Sequence, residues 1–284
     1  MKNFTYQKPS NLNELIEIKH NEKEHALLYA GGTNLMVYIK DGKYQDGVLV
    51  PVMHIDDLKG FHFTEDMLEL GACETMDTLM HHPDIVQKMP FIPDALSKFA
   101  NPLVRTMSTI GGNIADGSPI ADTAPMLLTL ESEVLAVSGN GERTIAIDDF
   151  FDLPGKTTLK PDEIIRTIRI PVPRAGTGKF IKLGLRKGTS CAVTSAGVWL
   201  EESDREIKNI RIGLGGVAPR PVRARNAEAA FTGAVLKERK DIAEIAKAAA
   251  DDMSPITDVR ATAEYRRDVT ISLVVKAVAE CLGV

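Results

Sequence analysis

The sequence, 284 residues long, predicts an α+β protein of roughly two domains. Three observations carry that expectation. Short apolar runs bounded by turn residues alternate with helically spaced stretches through the first 175 residues. Strand-like runs followed by two helical stretches fill the remainder. In the first half of the chain paired glycines break the pattern twice, after an early apolar run and again near residue 110.

Taken in order, Ser10 is placed to cap a helix carrying Leu12, Leu15 and Ile16, and a buried strand follows around Leu27 and Leu28. Leu35, Met36 and Ile39 mark a short helix, and Val48, Leu49, Val50 and Val52 a second strand. Phe61, Phe63, Leu68 and Leu70 read as a hairpin turning at Thr64-Glu65-Asp66. Helices are expected over 75–82, 94–100 and 123–130, and strands over 134–137, 144–147 and 163–172. Pro171, Pro173, Gly176 and Gly178 mark a boundary, giving domains 1–175 (subdomains about 1–54 and 55–175) and 176–284. The second domain opens with strands over 179–185, 192–200 and 207–214. It ends with helices over 242–251 and 261–282.

Composition excludes several classes of function. A net charge of −5 argues against nonspecific nucleic-acid or membrane-surface binding. No apolar stretch reaches the roughly 20 residues of a membrane span, and residues 1–6 lack the apolar core of a signal peptide. Cys73, Cys191 and Cys281 are scattered and odd in number, so neither a disulfide framework nor a local metal or iron–sulfur motif is visible. A reducing, cytoplasmic setting is expected. The adjacent His81 and His82 point in different directions on a helix and suit no shared metal.

The two glycine segments are Ala30-Gly31-Gly32-Thr33-Asn34-Leu35, entered from Leu28-Tyr29, and Thr109-Ile110-Gly111-Gly112-Asn113. Paired glycines permit positive φ and close approach of a ligand to the backbone. The neighbouring Thr and Asn add a hydroxyl and an amide able to bind an anion. Two such segments suggest a phosphate-bearing ligand held from both sides. Gly213-Leu214-Gly215-Gly216 runs into two prolines, which disfavours a dinucleotide-binding helix; it reads as a strand-end turn.

These segments resemble the FAD-binding subunit of the molybdenum hydroxylases, the xanthine dehydrogenase, carbon monoxide dehydrogenase and nicotinate dehydrogenase type of enzyme. The resemblance continues through Ser118-Pro119-Ile120-Ala121-Asp122-Thr123-Ala124-Pro125, Asp149-Phe150-Phe151, Asp162-Glu163-Ile164-Ile165, Arg186-Lys187-Gly188 and Asp258-Val259-Arg260-Ala261-Thr262-Ala263-Glu264-Tyr265-Arg266-Arg267. It covers almost the whole chain, whose length resembles a separate medium subunit. Asn34 stands where the family often has Asp. Three scattered cysteines cannot supply the four-cysteine cluster of the hydroxybenzoyl-CoA branch.

The resemblance implies two α/β subdomains of a vanillyl-alcohol-oxidase-type (PCMH-like) fold clasping FAD, with a C-terminal α+β domain beside them. By position, Leu28, Tyr29, Ala30, Gly31, Gly32, Thr33, Asn34 and Leu35 would wrap the pyrophosphate. Thr109, Ile110, Gly111, Gly112 and Asn113 would form the second wall, with Ala100 near the flavin. Asp122 would accept hydrogen bonds from sugar hydroxyls or cap the helix beginning at Thr123. Ile165 would meet the adenine. Lys182 would approach the isoalloxazine or the pyrophosphate, or face solvent on its strand. No catalytic acid, base, nucleophile or metal ligand is assigned in this chain. The implied partners are a large molybdenum-cofactor subunit and a small [2Fe-2S] subunit, with NAD⁺ or another carrier as acceptor. The implied substrate is of the purine or N-heterocycle type. The alternatives are a stand-alone flavin oxidase or reductase and a flavin-free scaffold.

Overall fold

The computed structural model describes residues 3–284. The first unit is a three-stranded parallel sheet of β1 (Asn3–Tyr6), β2 (Ala26–Tyr29) and β3 (Asp46–Pro51), in the order β1-β3-β2. Sequence reasoning misses β1, a four-residue edge strand with no buried residue to give it a pattern. The helix Leu12–Glu22 crosses between β1 and β2 and buries Leu15. Its cap is Asn11 rather than Ser10. Asn11 Oδ1 accepts the Glu14 N–H at 3.0 Å, and the Glu14 carboxylate accepts the Ser10 N–H at 2.7 Å. This reciprocal arrangement moves the helix start by one residue. The first glycine segment joins β2 to the short helix Leu35–Lys40.

The second unit is a five-stranded antiparallel sheet of β4 (Phe61–Phe63), β5 (Met67–Gly71), β6 (Glu133–Ser138), β7 (Gly141–Ala146) and β8 (Ile164–Pro171), in the order β4-β5-β8-β6-β7. Between β5 and β6 the chain makes a run of short helices. One spans Phe91–Ser97 rather than 94–100, because Pro93 falls in the first turn, where no N–H is needed. The second glycine segment is itself helical, Ile110–Ala115, despite its two glycines. Thr109 caps it, its hydroxyl accepting the Gly112 N–H at 3.1 Å. The last helix of the run, Thr123–Thr129, is buried at every position.

The third unit is an antiparallel sheet of β9 (Thr177–Gly184), β10 (Ala192–Ser203), β11 (Glu206–Gly215) and β12 (Val222–Arg223), in the order β12-β11-β10-β9. The stretch 192–200 is buried without alternation, because the helix Thr123–Thr129 and the 20-residue helix Ala263–Leu282 both pack on β10. Gly213 admits the carbonyl of Pro125 where a Cβ would stand. Sequence reasoning does not anticipate the helix Arg225–Phe231, which buries Phe231 and sets Glu228 against Arg223 at 2.6 Å. Arg223 also donates to the Leu128 carbonyl at 3.2 Å, fastening this unit to the buried helix. Phe180 and Trp199 complete the second unit's core from the third unit.

Candidate functional site

A cavity of about 880 Å³ opens where the three units meet. Its first wall is the segment Leu28–Leu35. Gly32 adopts φ +68°, which glycine tolerates. Gly31 is glycine for another reason: a Cβ there would stand 1.8 Å from the Met107 carbonyl oxygen. The segment is therefore packed directly against the chain leading into the second glycine segment. Among the described residues, the backbone N–H groups of Gly31, Gly32, Thr33 and Asn34 meet no protein acceptor. Consecutive free amides at the start of a helix suit an anionic ligand.

The second wall differs in kind. The N–H groups of Ile110 and Gly111 donate to the Glu74 and Ala72 carbonyls, those of Gly112 and Asn113 to Thr109. What lines the cavity here is Gly112, which is exposed, with Thr109 and Asn113. Asn113 Oδ1 accepts the Thr123 hydroxyl at 2.5 Å, which leaves its amide N–H groups for a ligand. Gly111 faces the protein, where a Cβ would meet Ala72 at 2.6 Å.

Ala100 sits on the cavity wall at φ +40°, a left-handed conformation costing of order 1–3 kcal/mol in a non-glycine residue. Its neighbours are pinned. The Lys98 carbonyl accepts Lys182 Nζ at 3.2 Å, and the Phe99 carbonyl accepts Arg105 Nη1 at 2.7 Å. Asn101 then caps the next helix through the Val104 N–H at 3.0 Å.

Asp122 does not act as a helix cap; its side chain makes no cap hydrogen bond. Its Oδ2 accepts Lys182 Nζ at 2.5 Å, both side chains being under 10% exposed. Among the described residues its Oδ1 has no partner. Burial lifts the carboxyl from its ordinary 3.8 to about 6, against the opposing pull of the Lys182 ammonium. An unpaired, buried carboxylate oxygen on a cavity wall calls for a donor from the ligand.

Of the residues anticipated from sequence, Leu28–Leu35, Ala100, Thr109, Gly112, Asn113 and Asp122 line this cavity together. Four do not. Ile110 and Gly111 are buried behind the second wall, and Ile165 lies in the core beside β6. Lys182 neither faces solvent nor reaches the wall; it stands behind Asp122 and fixes that carboxylate. Sequence reasoning missed Tyr38, Lys43, Asp116 and Arg260. Asp116 Oδ2 accepts the Asn34 amide at 3.0 Å and the Tyr38 hydroxyl at 3.2 Å, tying the two walls together. Burial first, and Asp116 second, push the Tyr38 hydroxyl up to about 12. Nothing in sequence pairs residues 34 and 116.

Residues 2–173 match the family described as the FAD binding domain in molybdopterin dehydrogenase. The chain belongs to that family. Residues 179–281 match the CO dehydrogenase flavoprotein C-terminal domain. The chain is 29% identical over 275 residues to the carbon monoxide dehydrogenase medium chain of Hydrogenophaga pseudoflava, covering 96% of this chain and 95% of that one. It is 28% identical over 276 residues to the nicotine 6-hydroxylase medium subunit of Paenarthrobacter nicotinovorans, covering 97% and 96%. The fold superposes with a TM-score of 0.95 and 28% identity on carbon monoxide dehydrogenase from Hydrogenophaga pseudoflava lacking the Mo-pyranopterin moiety of its molybdenum cofactor, covering 99% and 98%. The molybdopterin dehydrogenase FAD subunits are thus the chain's relatives over nearly all of its length, and its cofactor is FAD. The free amide run, the left-handed Gly32 and the orphaned Asp122 oxygen fit an extended dinucleotide with anionic and donor groups.

Proposed function

We propose that this chain is the electron-relay subunit of a multi-subunit molybdenum hydroxylase acting on a purine or other N-heterocycle. In this reading electrons arrive from the [2Fe-2S] clusters of a small subunit, after a large molybdenum subunit has oxidised the substrate. They leave to NAD⁺ or another carrier. Bound FAD supplies the redox chemistry. The chain's own residues hold and orient it. The amides of Gly31–Asn34 take the pyrophosphate, and the Thr109 hydroxyl and Asn113 amide bind from the opposite wall. Asp122, fixed by Lys182, accepts a donor through Oδ1. The N-terminal domain, residues 1–175, holds the cofactor, while residues 176–284 close the cavity through Thr189–Cys191 and Arg260.

The observation that carries this reading is the run of free amides and the orphaned carboxylate oxygen of Asp122 on the lining of one cavity. Substrate chemistry lies on another polypeptide in this scheme, in keeping with the unlike substrates that relatives of the same architecture are named for. A reducing, cytoplasmic setting suits the three free cysteines. Among the described residues no helix is long and apolar enough to cross a membrane.

The test is purification of the chain with the products of its neighbouring genes. Visible flavin absorbance in this chain, molybdenum in a large partner and flavin reduction by an N-heterocycle are expected. A chain that shows no flavin bands, even after FAD is added, refutes the relay. Flavin reduction by a small substrate without any partner favours the stand-alone oxidase instead.

A further inference from the structure

The cavity carries two cationic side chains among the described residues, Lys43 and Arg260. Lys43 is engaged locally, its Nζ lying 4.0 Å from the centre of the Tyr38 ring. Arg260 comes from the C-terminal unit, on the loop before the helix Ala263–Leu282, and its position is built from beneath. Asp258 accepts the Arg260 backbone N–H at 2.8 Å through Oδ1 and Arg260 Nη1 at 3.1 Å through Oδ2. The same Oδ1 accepts Arg266 Nη2 at 2.6 Å. Arg266 is buried and donates Nη1 to the Val193 and Gly216 carbonyls, which anchors the bracket to the ends of β10 and β11. Among the described residues, Arg260 Nε and Nη2 donate to no protein acceptor, and the side chain is 36% exposed. Backbone and guanidinium hydrogen bonds hold the Asp258 carboxyl down at about 2, so the bracket stays charged across the working pH range.

We propose that Arg260 is a phosphate-binding side chain of this cavity, supplying from the C-terminal unit a positive charge that the two glycine segments lack. A guanidinium fixed on one edge and free on the other suits a phosphate oxygen pair. The phosphate belongs either to FAD itself or to a second, incoming nucleotide. The assignment of the source rests on the FAD reading of the cavity; the anion site does not.

The test uses the full chain freed of flavin, with inorganic pyrophosphate as the probe in titration calorimetry. Arg260→Gln should weaken pyrophosphate binding roughly tenfold or more, and Arg260→Lys should keep most of it. Two further titrations assign the source. If FAD affinity falls in Arg260→Gln while riboflavin affinity is unchanged, the partner is the pyrophosphate of FAD. If FAD is held normally and ADP-ribose binding to the flavin-loaded chain falls, the partner is a second nucleotide. Pyrophosphate that binds Arg260→Gln as it binds the parent, or binds neither, overturns the proposal. If FAD binds neither protein while pyrophosphate still tells them apart, the FAD reading falls and the Arg260 site stands.

Discussion

Lys182→Met should make the stability of this protein fall with pH in a range where the parent is flat. Asp122 has a folded pKa of about 6 against an ordinary 3.8. A raised carboxyl pKa means that its contribution to stability is full below about pH 4 and is lost as pH rises to about 6. Above that, folded and unfolded carboxyls are both ionised, and the parent curve levels. Methionine keeps the bulk of Lys182 and removes the ammonium 2.5 Å from Asp122 Oδ2. Burial then acts unopposed, the carboxyl pKa moves above 6, and the decline continues. Each pH unit of continued decline is one proton, about 1.4 kcal/mol. At pH 5 the Asp122 carboxyl is mostly protonated in both proteins. The difference there reduces to packing and the freed Lys98 carbonyl, about 1 kcal/mol. Urea denaturation at pH 5, 6, 7 and 8 measures it on the flavin-free chain. The gap should open by more than about 1 kcal/mol between pH 6 and 8. Parallel curves over that range would show that Lys182 does not hold Asp122 ionised, and the account of both residues would fail.

Three other substitutions separate ligand-facing from protein-facing glycines. Gly31→Ala should lose flavin after gel filtration, because its methyl must displace the Met107 carbonyl and with it the contact between the two walls; a full flavin complement would refute this. Gly111→Ala should lower stability by about 1–3 kcal/mol through overpacking on Ala72. Gly112→Ala meets only Thr109 Oγ1, at 2.9 Å, and should change stability by under about 1 kcal/mol while weakening FAD binding. Equal thermal shifts in this pair would refute the orientation of the helix. Thr109→Val removes the cap on the Gly112 N–H and should cost about 1 kcal/mol; unchanged melting would show that the cap is dispensable.

What could be read from the sequence was local. Paired glycines after an apolar run mark a strand ending in a tight turn, and Leu28–Leu35 is where sequence reasoning puts it. The same signal misleads at residue 110, since Gly-Gly argues against a helix and only the Thr109 cap and the Ala72 contact make one there. The reasons for the glycines are distant. Gly31 answers to Met107 and Gly111 to Ala72, close approaches that no spacing rule encodes. Arg260 is visible in sequence only within a family motif, because its place on the cavity wall depends on Asp258 and Arg266, which hold it from behind at a cavity walled mainly by other units. Lys182 shows the limit most clearly. On an alternating strand a lysine reads as solvent-facing or as reaching for an anion, and the structure gives it neither task. It lies 60 residues from Asp122, and only the closure of the third unit over the second brings them together. Without it, burial acting alone would lift the Asp122 carboxyl further and favour a neutral acid over a carboxylate on the cavity wall. The charge on the cavity wall is therefore set by a residue outside the wall.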